Sequence, residues 1–245
     1  QLGLIDRAET EVASALQDAD LVMIATPVAQ TPAILRSILP HLNASTVITD
    51  AGSTKSDVMA YATAELGDKL SQFVGAHPIA GAEKSGPAAA MADLYVGKNV
   101  ILTPDANTSS TAIEKVTALW QQCGAVVSNM SPQEHDRVFA AVSHLPHLLA
   151  FALVEDLAKR DNAELLFKFA ASGFRDFTRI AGSHPEMWRD IALANKTALL
   201  GELKSYQQAL GEMTTLLEQA DGNALQALFE HASRARNDWA KSKIQ

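Results

Sequence analysis

An α/β sheet followed by an all-helical half is the fold class that these 245 residues predict. Short continuous apolar runs alternate with helical periodicity up to about residue 130, and from there the periodicity is almost wholly helical. Leu21-Val22-Met23-Ile24-Ala25 reads as a strand covered on both faces, because its apolar run is unbroken until Thr26-Pro27. A helical segment over residues 31–39 leads to a second strand, residues 46–50, which ends at Ala51-Gly52-Ser53. A helix over residues 56–66 then brings the chain to Phe73-Val74-Gly75, a strand-like run opening into a turn that carries His77. This β-α-β-α-β rhythm implies a parallel sheet with right-handed crossovers. Residues 99–103 and 125–127 supply two more strand candidates around a helix over 110–122.

The second half opens on Ser131-Pro132-Gln133-Glu134, a capping box with the hydroxyl as N-cap, proline at the first helical position and glutamate at the third. It starts a long helix expected to reach about residue 159, and later breaks fall at Ser172-Gly173, Ser183-His184-Pro185 and Asp221-Gly222. Two domains follow from this division, residues 1–130 and residues 131–245. Long helices with wide apolar faces and few aromatics pack against one another, often across a two-fold axis, so a homodimer is expected.

Composition narrows the function. A net charge of −8 argues against a general nucleic-acid binder, which needs a basic face. Cys123 is the sole cysteine, so no intrachain disulfide can form and a reducing, cytoplasmic setting is expected, with the thiol buried and structural. The longest apolar run, Leu145 to Val154, is interrupted by Pro146 and His147 and falls short of the roughly 20 residues of a membrane span. The first residues show no basic-then-apolar signal pattern.

The segment Gly75-Ala76-His77-Pro78-Ile79-Ala80-Gly81 sets a titratable imidazole in a glycine- and proline-shaped turn. In parallel sheets, ligands bind beyond the carboxyl ends of the strands, and here those ends carry Thr26-Pro27, Gly52-Ser53 and His77. On the long helix, Asp136, Ala140, Ser143 and His147 fall on one face, and Pro146 predicts a kink beside them. His144 and His147 read equally well as a cleft wall or as satisfied interface histidines. The loop-like segment 171–182 carries Arg175 and Arg179 around Asp176, a pattern that can clamp a carboxylate or form an exposed ion pair. Trp188 and Asn195 follow on the next helix. No metal site is expected, because neither a His-plus-Glu helix motif nor a cysteine cluster is present.

Six segments in order, Ala25-Thr26-Pro27, residues 50–55, residues 75–86, Ser143-His144-Leu145-Pro146-His147, residues 172–179 and Met187-Trp188-Arg189-Asp190, resemble the successive motifs of prephenate/arogenate (cyclohexadienyl) dehydrogenases. The resemblance implies an incomplete Rossmann-like sheet, a helical dimerisation domain, and oxidative decarboxylation of prephenate or arogenate in tyrosine biosynthesis, with hydride transfer to NAD or NADP. It implies His77 as the catalytic base, with Ser53 hydrogen-bonding at the reacting centre. Arg179 would bind a substrate carboxylate, Ser143 and His147 would contact substrate, and Asp176, Glu83 and Trp188 would hold and cover the site. Thr26, Pro27, Gly52 and Ser53 would meet the cofactor.

Two departures from the family pattern stand out. Ala82 replaces the Thr or Ser found after His-Pro-Ile-Ala-Gly in many relatives, which removes one hydroxyl contact. No G-x-G-x-x-G occurs, and Gln1 to Asp6 resembles the segment that follows the family's glycine-rich βαβ unit, so a roughly 30-residue start is expected to be missing and cofactor binding impaired. Two other readings are a hydroxy-acid dehydrogenase or imine reductase with its base on the helical half, and a cofactor-free interaction module built on the dimerisation helices.

Overall fold

The computed structural model describes residues 3–81 and 86–242. A single turn of helix, α1 (Val12–Ala15), precedes β1 (Leu21–Ile24), α2 (Thr31–Ile38), β2 (Val47–Asp50), α3 (Ser56–Leu66) and β3 (Phe73–Pro78). The chain continues through β4 (Asn99–Thr103), α4 (Ser110–Gln122) and β5 (Val126–Asn129). Strand order is β1-β2-β3-β4-β5. β1, β2 and β3 run parallel, as do β4 and β5, but β3 and β4 are antiparallel with His77 opposite Ile101. The sheet is therefore mixed where an all-parallel one was expected. Between β3 and β4 the described residues contain only the short 3-10 turn Pro87–Ala89, and without a crossover helix the next strand returns in the opposite sense.

The sheet is apolar on both sides of its middle. Ile24, Leu35, Ile48, Val58, Ala62 and Phe73 join one core with α2 and α3, while Val47, Val74, Val100, Leu102, Val116 and Trp120 form a second core with α4. β2 and β3 are buried along their whole length. β1 was expected to be covered on both faces, yet Leu21, Val22 and Met23 are only half-buried, because β1 is the edge strand of the described sheet. Cys123, expected to be buried, is half-exposed at the C-cap of α4.

The helical half begins with α5 (Pro132–Phe139), whose N-cap Ser131 accepts from the Glu134 N–H at 3.2 Å. Residues Ala140–His144 form a π-helical turn, and α6 (Leu145–Ala158) continues the same run with Pro146 in its first turn. By length and composition this run, Pro132–Ala158, would suffice to cross a membrane, which its interrupted apolar stretches did not lead one to expect. His135, Asp136, Phe139 and His144 on it are nevertheless buried. Then come α7 (Ala163–Lys168), α8 (Ser172–Thr178), a 3-10 turn Arg179–Gly182, α9 (Pro185–Ala194), α10 (Lys196–Glu218) and α11 (Gly222–Ser242). Ser172-Gly173 opens a helix instead of interrupting one, since both residues stand in the first turn of α8, where their poor helix propensity costs least.

By its internal contacts the chain divides into two compact units at Leu199. The first holds the sheet and every helix through α9, because α5 packs on α3 and β4 while α9 packs on the turn Val28–Gln30. The second consists of α10 beyond Leu199 together with α11.

Candidate active site

At the carboxyl end of β2 the chain must turn sharply to enter α3. Asp50 organises this turn: Oδ2 accepts from the Gly52 N–H at 2.8 Å and from the Lys55 ammonium, and Oδ1 accepts from the Ala76 N–H of β3 at 3.0 Å. Lys55 is completely buried and Asp50 nearly so, hence each needs the other. A Cβ on Gly52 would lie 2.8 Å from both the Asp50 carboxylate and Val28 Cγ1, so only glycine lets the ends of β1 and β2 approach. Asp50 thus fixes the Ser53 loop to the strand that carries His77. Thr26 and Pro27 are exposed on the same rim, while Gly52 and Ser53 are half-buried.

His77 lies within β3, not in a turn after it, because pairing with β4 extends the strand past Gly75. The residue is 9% exposed, and its Nδ1 is 2.8 Å from Nε2 of fully buried His135. His135 Nδ1 is in turn 2.9 Å from Asp136 Oδ1. Phe139 packs edge-on to His77 and tilted over His135, at ring separations of 4.9 and 4.5 Å. Asp136 also caps α3, accepting from the Lys55 and Ser56 N–H groups at 2.9 and 2.8 Å. Burial alone would raise its carboxyl, but these hydrogen bonds hold it below the ordinary carboxylate value. His77 is pushed well below the ordinary histidine value, chiefly by burial and further by His135, Lys55 and His144.

A second cluster surrounds the π turn. Asn195 Nδ2 donates to the Asp136 carbonyl at 2.7 Å and lies 3.1 Å from His144 Nδ1. Burial brings His144 down to about 4, although the Asp136 charge and the Ser53 backbone favour its proton. His147 Nδ1 donates to the Ser143 carbonyl at 2.9 Å, and its ring stacks on Trp188 at 3.6 Å with 19° between planes. Trp188 is buried and also meets His144 edge-on. His147 is lowered mainly by burial, with the nearby Arg179 charge adding to the effect.

The structure therefore links His77, Asp136, Ser53, Ser143, His147 and Trp188 through His135, Asn195 and His144, and the Arg179 charge acts on His147. The expected single face of Asp136, Ala140, Ser143 and His147 is divided by the π turn, which leaves Asp136 on α3 and His147 on Trp188. Among the described residues Asp176 stands apart: its side chain is 76% exposed, and Arg175 lies 3.9 Å from it. Glu83 and Ala82 lie outside the described residues. His135 carries no motif of its own in the sequence, and the histidine directly before Asp136 is the one signal that could mark it. Asp50 and Lys55 were visible as motif letters without their pairing.

Two family models match the chain. Residues 1–129 match the nucleotide-binding domain of prephenate dehydrogenase and residues 131–231 its dimerization domain. The prephenate dehydrogenase of Bacillus subtilis is 41% identical over 97% of this chain and 64% of its own length, so the chain spans just under two thirds of that relative. The cyclohexadienyl dehydrogenase of Zymomonas mobilis is 34% identical, covering 96% of this chain and 80% of its own. Among solved structures, a prephenate dehydrogenase from A. aeolicus in complex with hydroxyphenyl propionate and NAD+ superposes with a TM-score of 0.88 at 39% identity, covering 96% of this chain and 82% of that one. On these matches, the chain belongs to the prephenate dehydrogenase family.

Proposed function

We propose that this chain catalyses the NAD-dependent oxidative decarboxylation of prephenate or arogenate. The observation that carries the reading is His77: a buried imidazole, held neutral near pH 7, on the strand that Asp50 ties to the Ser53 loop. A neutral imidazole can accept the ring hydroxyl proton as the hydride departs. The names of the relatives support both the substrates and the cofactor.

The rim suits a nicotinamide, since Thr26 and Pro27 are open while Gly52 and Ser53 border them, half-buried. These residues would hold the cofactor, which when bound supplies the hydride acceptor. Ser53 would hydrogen-bond the substrate hydroxyl and steer its proton to His77. Arg179 would pair with a substrate carboxylate beside His147, whose Nδ1 is already committed to Ser143, leaving Nε2 to meet substrate. Trp188 would close this side by stacking on His147. With the hydroxyl carbon oxidised, the bond to the ring carboxylate breaks, its electron pair enters the ring, and carbon dioxide leaves as the ring becomes aromatic.

The helices from residue 131 onward would form the substrate wall and, as in the matched dimerization domain, the homodimer contact; a cytoplasmic setting goes with this role. Exposed Leu210, Leu217, Phe229 and Trp239 in the second unit are apolar residues such a contact would cover. The direct test follows nicotinamide reduction with prephenate and with arogenate. Turnover of one or both is expected, and His77→Asn should lower kcat by about 10²–10⁴-fold. Unchanged turnover in that variant would remove His77 as the base.

A further inference from the structure

His135 is 0% exposed, and both of its ring nitrogens are engaged, Nε2 with His77 and Nδ1 with Asp136. Asp136 accepts backbone N–H groups of Lys55 and Ser56 and is ionised, so toward His135 it can only accept. The proton of neutral His135 must then sit on Nδ1, and its lone pair on Nε2. His77 in turn must donate from Nδ1. The same count leaves the His77 lone pair on its own Nε2.

We infer that His135 and Asp136 are positioning residues that fix the tautomer of His77, making Nε2 its single basic atom. The inference rests on His77 being the base proposed above, and it adds a reason why a buried imidazole there is both neutral and correctly protonated. It also states how the device fails. If His135 takes up a second proton, its Nε2 becomes a donor, His77 Nδ1 must accept, and His77 Nε2 carries a hydrogen and is no longer basic. The charged and titratable groups around His135 are His77 on β3, Asp136 on α5, Asp50 on β2, Lys55 beside α3 and His144 in the π turn; His144 and Lys55 act on His77 as well. Burial, the largest influence on His135, keeps it below the ordinary histidine value and so keeps the relay in its working sense at neutral pH.

Nitrogen-15 imidazole spectra of the full chain, assigned with His77→Asn and His135→Gln, read the tautomer without any turnover. The expected result is a protonated Nδ1 and a bare Nε2 on His77. In His135→Leu the proton should redistribute to Nε2, and kcat should fall by at least about tenfold while KM changes little. His135→Gln, whose amide oxygen can accept where Nε2 stood, should restore the tautomer and recover most of that loss. A wild-type His77 protonated at Nε2 would overturn the inference, as would His135→Leu with unchanged tautomer and kcat. Should the leucine variant fail to fold, the wild-type spectrum still decides. Absence of turnover with either substrate would refute the proposed reaction and leave the spectrum to judge the relay.

Discussion

Gly75 sits opposite Thr103 in the antiparallel pair of β3 and β4, where an added Cβ would lie 2.5 Å from Thr103 Oγ1 and 3.4 Å from Met59 Sδ. The strand beside it, not a ligand, requires the missing side chain. Gly75→Ala is expected to destabilise the fold by about 1–3 kcal/mol, the usual cost of overpacking a core, read from the midpoint of denaturant unfolding. An unchanged midpoint would mean that β4 can retreat. At this scale the sequence singles out His77, Ser53 and Trp188, because each stands in a short local motif. The contact between His77 and His135, 58 residues apart, leaves no trace in local periodicity.

Between α5 and α6 the π turn shows what an element inherits from its neighbours. Pro146 makes a bend at this place legible, since it cannot donate to the preceding turn. His144 in the π turn reaches Asn195, and no spacing rule announces that contact. Val142 within the turn is 66% exposed. Deleting it is expected to leave a regular α-helical run with undiminished helix content by circular dichroism. Turnover should nevertheless fall by at least about tenfold, because Ser143 and His144 would lose their places. A deletion variant of normal activity would show the turn to be incidental. The direction of β4 is equally hidden, since among the described residues the connection after β3 holds no crossover helix.

Across the whole molecule, the sheet with helices on both faces and the change to an all-helical second half are legible from periodicity alone. The division at Leu199 is not, because it depends on α5 and α9 packing back onto the sheet unit. That packing buries His77, His135 and His144 and half-buries His147, all with folded values below the ordinary one. The unfolded chain therefore binds more protons than the folded chain at mildly acid pH, and stability must fall as pH drops. For His144 the window runs from its unfolded value of about 6.5 down to about 4, a loss on the order of 3 kcal/mol. Asp136, held low in the folded state, adds to the loss only at still lower pH. Denaturant midpoints measured from neutral pH downward should decrease steadily through this range; a flat profile would contradict the burial of these rings.

Asp136 ties the two halves of the sequence together: its carboxylate caps α3, its backbone carbonyl receives Asn195, and His135 beside it reaches β3. A protein joined in this way cannot be rearranged piecewise. Had the helical half been exchanged for that of an unrelated relative, the sheet half would have lost its helix cap and His77 its neighbour in the same event. Cutting the chain near residue 130 is therefore expected to cost folding and chemistry together.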